Sequence, residues 1–312
     1  MTYRILDYFW HAAHGARLLQ IPADWTYFLL GDRQPWDWRQ REIPANLRGF
    51  ASRYEPGQYD VALLHLDQWA AEPGYPLRAS PYRFLDALIT DIPKIVINHG
   101  LPEGESNRRR HAELVGNNFL VTNTEMSRAM WGLPESQSRA IVPGYDLDEW
   151  PETTRARNEI VVVMGGSDTP RDHHGVLVTE RLKRDGLPVT WVGQDIRFES
   201  FREYRDYLAG SSIFLSPCQW SQHPGARNEA MLCGMAVVST DYLDEGEYIE
   251  HGETGFLSHE YATIRETLER LLADPDLARR VGQRGRERAR ELFDQKRYVA
   301  EWLQLIGEVV GR

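Results

Sequence analysis

The chain has 312 residues, 26% of them charged, and a formal net charge of −10. That length exceeds one comfortable hydrophobic core and predicts two domains of ordinary size. The acidic balance argues against a general nucleic-acid surface and against polyanionic acceptors.

Cys218 and Cys233 are the only cysteines. They suggest neither a metal site nor a disulfide framework, which points to a reducing compartment. The start, MTYRILDYFW, lacks the pattern of a signal peptide, and no run of about twenty apolar residues occurs. A cytoplasmic protein without a transmembrane segment is the expectation.

Residues 3–10 read as a first strand, followed by a helix whose opening holds His11, His14, Gly15 and Arg17. A glycine between strand and helix often marks a phosphate or sugar loop, so Gly15 is a candidate, with an ordinary helix start as the alternative. Residues 25–31 and 59–66 are apolar enough for buried parallel strands. Between them Trp36 and Trp38 have no period that would bury both. At least one is expected at the surface, where an aromatic ring can stack on a sugar, unless both pack the loop onto the sheet.

Residues 94–100 form another buried strand with His99 at its carboxyl end, and residues 106–114 a helix with Arg108, Arg109 and Arg110 in its first turn. Three cations there oppose the helix dipole by a few tenths of a kcal/mol each, roughly; they read as a solvated charge run or as partners of an anion. Segments 118–124 and 138–150 complete the first half.

After a charged connector, residues 159–175 are a strand opening into a glycine loop that carries Arg171, His173 and His174. Residues 189–195 form the next strand. From 212 to 240 the pattern is strand, loop, helix, strand. The loop leaves the carboxyl end of a strand and delivers a helix N-terminus at Gly225 and Ala226, whose free N–H groups and dipole favour a phosphate. Glu229 follows about one turn in. The remainder reads as helices, with Pro275 at a helix start. In the last of them Tyr298, Trp302, Leu305 and Ile306 share one face and need an apolar partner.

Residues 229–238, EAMLCGMAVV, resemble the nucleotide-binding motif of GT-B-fold retaining glycosyltransferases of the group 1, family 4 type. Residues 252–257, GETGFL, match a second block of that family, and Pro143, Gly144, Asp146 and Trp150 fit its interdomain signature. Eight positions before Glu229, where the family has a glutamate that contacts the donor sugar, stands Ser221.

The resemblance implies an α/β protein with two Rossmann-like parallel-sheet domains facing a cleft. Residues 1–150 would form the acceptor side and 151–293 the nucleotide side, with a final helix at 294–312 returning to the first domain. It implies Glu229 on the ribose hydroxyls, Gly225, Ala226 and Arg227 at the diphosphate, Gly15 near the same diphosphate, and His99 beside the donor sugar. Arg171 would replace the family's loop cation as the catalytic charge.

The implied activity is metal-independent, retaining transfer from a nucleotide-diphosphate donor, such as a UDP- or GDP-sugar, to the hydroxyl of a glycan or small molecule, without a further cofactor. Ser221 leaves the donor sugar and the stereochemical outcome open. Two rivals are a non-catalytic sugar-nucleotide-binding protein and a glycosyltransferase acting on nucleic-acid bases, the latter disfavoured by the net charge.

Overall fold

The computed structural model describes residues 2–31, 34–37, 40–72, 81–164, 175–221 and 223–311. Two compact units emerge, one made of residues 1–145 and 295–312 and the other of residues 146–294.

In the first unit the elements run β1 (Arg4–Asp7), α1 (Ala12–Leu18), β2 (Asp24–Phe28), β3 (Leu47–Ala51), β4 (Val61–Leu66), α2 (Tyr82–Leu88), β5 (Lys94–Asn98), α3 (Glu105–Val115), β6 (Phe119–Thr122), α4 (Glu125–Trp131) and β7 (Ser138–Ala140). The strands form one parallel sheet in the order β3-β2-β1-β4-β5-β6-β7. Chain direction reverses between β1 and β4, and ligands of open α/β sheets bind outside the carboxyl ends of the strands at such a point. The run VALLHL in β4 is buried throughout because both sheet faces are covered. The edge strand β3 alternates in exposure and lacks the apolar run that marks its neighbours.

The second unit holds β8 (Arg157–Val163), α5 (Val176–Arg184), β9 (Val189–Val192), α6 (Phe201–Leu208), β10 (Ser211–Ser216), α7 (Gly225–Cys233), β11 (Ala236–Ser239), α8 (Glu245–Tyr248), β12 (Phe256–Leu257), α9 (Tyr261–Ala273) and α10 (Pro275–Leu292). Its parallel sheet has the order β12-β11-β10-β8-β9, with the reversal between β8 and β10. Helix α7 is buried along nearly its whole length, between its own sheet and α10. That approach depends on glycine: a Cβ at Gly282 of α10 would collide with the Gly234 carbonyl, and Gly234 itself ends α7 in the left-handed conformation, φ 77°.

The division falls between Tyr145 and Asp146, five residues ahead of the expected boundary at 150. The reason lies in Trp150, which is buried edge-on against Phe201, and in Leu147, whose carbonyl accepts from Arg290; both partners belong to the second unit. The chain then returns to the first unit through α11 (Gln295–Val310), where Tyr298, Trp302, Leu305 and Ile306 join the core built on Ile5, Leu63, Ile95 and Val121. Gly144 admits this helix, since a Cβ there would stand 2.6 Å from Cβ of Tyr298.

Candidate functional site

The carboxyl edge of the first unit's sheet gathers three histidines. His99 directly follows β5, and its backbone N–H donates to the Leu66 carbonyl at 2.8 Å, which sets it beside the end of β4. His65 comes from within β4 and His14 from α1. Nδ1 of His65 and Nε2 of His99 are 2.8 Å apart, and Nε2 of His65 is 2.9 Å from Oδ1 of Asp7 at the end of β1.

Trp10 stacks on the His99 ring, with centroids 4.8 Å apart and planes 13° from parallel, while His14 meets the same ring edge-on at 4.7 Å. Burial holds the His14 and His99 imidazoles well below the ordinary histidine range, and the neighbouring rings and Arg17 push the same way. Both are neutral at pH 7.

Asn98 organises the turn that carries His99. Its amide oxygen accepts from the Gly100 N–H at 2.9 Å and the Trp131 indole at 3.2 Å, and its amide nitrogen lies 2.9 Å from Nε2 of His111. His111 in turn stacks on Trp131 at 3.8 Å.

In the second unit the described part of the site lies where β10 ends and α7 begins. Pro224, the N-cap residue of α7, offers no side-chain cap, so the N–H groups of Gly225 and Ala226 are what the start of the helix presents to an anion. His223 anchors the preceding loop through a contact of 2.6 Å with Asn228. Glu229 is 6% exposed, and its Oε2 accepts from the Tyr204 hydroxyl of α6 at 2.7 Å. A carboxylate held by a phenol on a helix that opens toward the switch point can receive vicinal hydroxyls while the helix end receives an anion.

Several expected site residues take other roles. Arg227 is fully buried and pairs with Glu245 at 2.7 Å, donates to Asn228 at 2.8 Å and lies over the Tyr248 ring at 4.4 Å. Its charge is therefore engaged inside the unit rather than presented to a diphosphate.

Gly15 lies inside α1 with its N–H bonded to the His11 carbonyl at 2.8 Å. A Cβ there would stand 2.7 Å from the Tyr27 hydroxyl and 3.1 Å from the Trp36 ring, so the glycine serves close packing instead of a phosphate loop. Trp36 is buried, and its indole donates to the Arg41 carbonyl at 2.6 Å, which removes it from any sugar-stacking surface. Arg108 and Arg109 pair with Glu105, and Arg110 with Glu72, as an exposed ion-pair group. Arg171, with His173, His174 and Trp38, lies outside the described residues.

Asp7, Trp10, His65, Asn98 and Tyr204 were not expected as site residues. A signal existed for Asp7 and His65, because a polar residue within an apolar strand such as RILD or VALLHL must find a buried partner. For Tyr204 none existed: its partner is supplied by a different helix.

Comparison with known proteins places this geometry. Residues 144–274, almost all of them in the second unit, match the family model described as glycosyl transferases group 1. The alpha-maltose-1-phosphate synthase of Mycolicibacterium smegmatis is 29% identical over 160 residues, which are 48% of this chain and 41% of that protein. The chain thus spans less than half the length of this curated relative.

Among solved structures, sucrose-phosphate synthase from Thermosynechococcus elongatus superposes with a TM-score of 0.73 at 16% identity, covering 99% of both chains. Anabaena HepE in complex with UDP-glucose gives 0.71 at 15% identity, covering 97% of this chain and 100% of that one. Two parallel-sheet α/β units and these superpositions give the chain a GT-B fold, and residues 144–274, with the motif at Glu229, are similar to glycosyl transferases group 1.

Proposed function

We propose that this protein transfers a sugar from a nucleotide-diphosphate donor, a UDP-sugar in the first place, to the hydroxyl of a glycan or small-molecule acceptor. The observation that carries the reading is the Tyr204–Glu229 pair in the first half of α7, within the segment that matches the family model. Glu229 takes the ribose hydroxyls, and the first-turn N–H groups at Gly225 and Ala226 take the diphosphate and stabilise the charge that grows as it leaves. The UDP-glucose bound by HepE, a protein of the same fold, supports uracil over guanine as the base.

The first unit handles the sugar-side chemistry, with His99 as the group that meets a sugar hydroxyl. Retention of configuration and independence from metal belong to the same proposal. Among the described residues, the one group of three or more metal-ligating side chains is the histidine cluster of the first unit, so in the second unit the helix end is what these residues offer a phosphate.

Calorimetric titration of UDP, GDP and UDP-glucose tests the donor reading. Glu229→Gln is expected to weaken UDP binding by about 1 to 3 kcal/mol, the loss of a charged hydrogen bond. Equal UDP affinity in the two proteins removes Glu229 from the site. Proton NMR of the anomeric centre in the product, and activity in the presence of EDTA, check the two finer points.

A further inference from the structure

The contacts around His99 decide more than its position. Oδ1 of Asp7 accepts the backbone N–H of Tyr8 at 2.7 Å and stands 2.9 Å from Nε2 of His65. A carboxylate oxygen that already receives one N–H has its remaining lone pair for a second donor, so Nε2 of His65 carries the proton. In a neutral ring that leaves Nδ1 of His65 as an acceptor, and the group 2.8 Å from it, Nε2 of His99, must then be the donor. His99 is left with an unprotonated Nδ1.

We infer that Asp7 and His65 are positioning residues that lock His99 in one tautomer, making its Nδ1 an obligatory hydrogen-bond acceptor that selects a hydroxyl-bearing sugar at that point. A hydroxyl donates to such a nitrogen; a fluorine, an ether oxygen or a carboxylate offers only lone pairs and is rejected. The inference deepens the sugar-side part of the proposed function and rests on it for the identity of the ligand, but the tautomer itself rests on the first unit alone.

Every neighbour supports a locked ring. Trp10 covers one face of His99 and the edge of His14 faces the same ring. The Tyr8 hydroxyl donates to the His65 carbonyl at 2.6 Å and accepts its N–H at 3.1 Å, fixing the backbone from which His65 projects. The charged and titratable groups around the pair are Asp7 from β1, His11, His14 and Arg17 from α1 and its approach, and each other's rings.

The same three histidines have ring nitrogens within 4.8 Å of one another, a spacing at which they could also share a cation. The closest pair argues for a proton: two nitrogens bound to one tetrahedral zinc at about 2.0–2.1 Å each stand roughly 3.3 Å apart, whereas His65 and His99 are at hydrogen-bonding distance, 2.8 Å.

Nitrogen-15 NMR of the full-length protein at pH 7 reads the tautomers directly. The expected spectrum has both His65 and His99 protonated at Nε2 and unprotonated at Nδ1. Protonation of His99 at Nδ1, a doubly protonated ring in either residue, or one equivalent of zinc bound with metal-shifted imidazole nitrogens would each overturn the inference.

Asp7→Ala removes the oxygen that accepts from Nε2 of His65, so the tautomers of both rings should no longer be fixed. With UDP-glucose and its deoxyfluoro analogues, the original protein should lose about tenfold or more in turnover when the hydroxyl facing His99 becomes fluorine. In the Asp7→Ala protein that ratio should shrink severalfold, with the Kd for UDP changed less than twofold. An unchanged ratio would end the selectivity claim. Should the variant fail to fold, the spectrum of the original protein still decides the tautomer. Absence of any sugar transfer, with the expected spectrum intact, would instead count against the proposed function.

Discussion

Arg227 shows how burial changes the meaning of a residue. By its place in the motif it is a cation at the mouth of a phosphate site; in the structure it is fully buried against Glu245, whose carboxyl is raised by burial and lowered again by the guanidinium. Removing one member of such a pair leaves the other charge uncompensated, which costs about 3 to 5 kcal/mol. Arg227→Met should therefore lower the urea midpoint by that order, with UDP affinity of the folded fraction little changed. A diphosphate clamp would behave in the opposite way.

The histidines carry a second residue-scale consequence. Burial depresses His111 to about 3 and holds His14 and His99 well below 6.5. Below the unfolded value of about 6.5 the unfolded chain binds protons that the folded chain does not, so stability is full above that pH. It falls as the pH drops from 6.5 toward the folded values. Each histidine contributes at most about 1.4 kcal/mol per pH unit in this window. The melting temperature should decline between pH 7 and pH 5, and His111→Gln should flatten the decline; a pH-independent midpoint across that range would contradict the buried, neutral assignment.

Among the elements, α7 has a placement of narrow tolerance. It lies between the sheet and α10, and the contact that seats it is backbone against backbone at Gly234 and Gly282. Gly282→Ala pushes a methyl group into the Gly234 carbonyl and should destabilise the second unit by about 1 to 3 kcal/mol, with a loss of UDP affinity because the same shift tilts the helix end. Gly246 of α8, where a Cβ meets nothing within 4 Å, is the control. Gly246→Ala should leave both quantities within about 0.5 kcal/mol. Chemical denaturation of the two variants side by side separates a packing glycine from an incidental one.

At the scale of the whole molecule, the chain is not two consecutive halves. Helix α11 completes the first unit's core, so residues that follow the second unit in the chain finish the unit that precedes it. Trp302 is 2% exposed there, among Tyr298, Leu305 and Ile306. Trp302→Ala should destabilise the first unit by about 3 to 5 kcal/mol. Calorimetry should show an earlier transition for that unit, while UDP binding to the second unit persists at temperatures between the two transitions. A single transition shifted as a whole would mean that the units unfold together.

What was legible in the sequence is what local chemistry specifies. Apolar runs such as VALLHL and SIFLS mark buried parallel strands because no solvated face interrupts them, and Pro224, Gly225 and the following helix formers mark the start of α7. The face of Trp302 and Tyr298 announced an apolar partner. Strand β3, half-exposed and at an edge, left no such pattern.

Tertiary structure alone decided which charges are free. Whether Arg227 faces a ligand or Glu245, and whether Gly15 lines a loop or admits Tyr27 and Trp36, depends on residues up to 21 positions away along the chain. The line from Asp7 through His65 to His99 joins three strand ends that become neighbours only when β1, β4 and β5 pair. A hydrogen bond specifies its partner by distance and direction in space, and neither quantity is written in sequence separation.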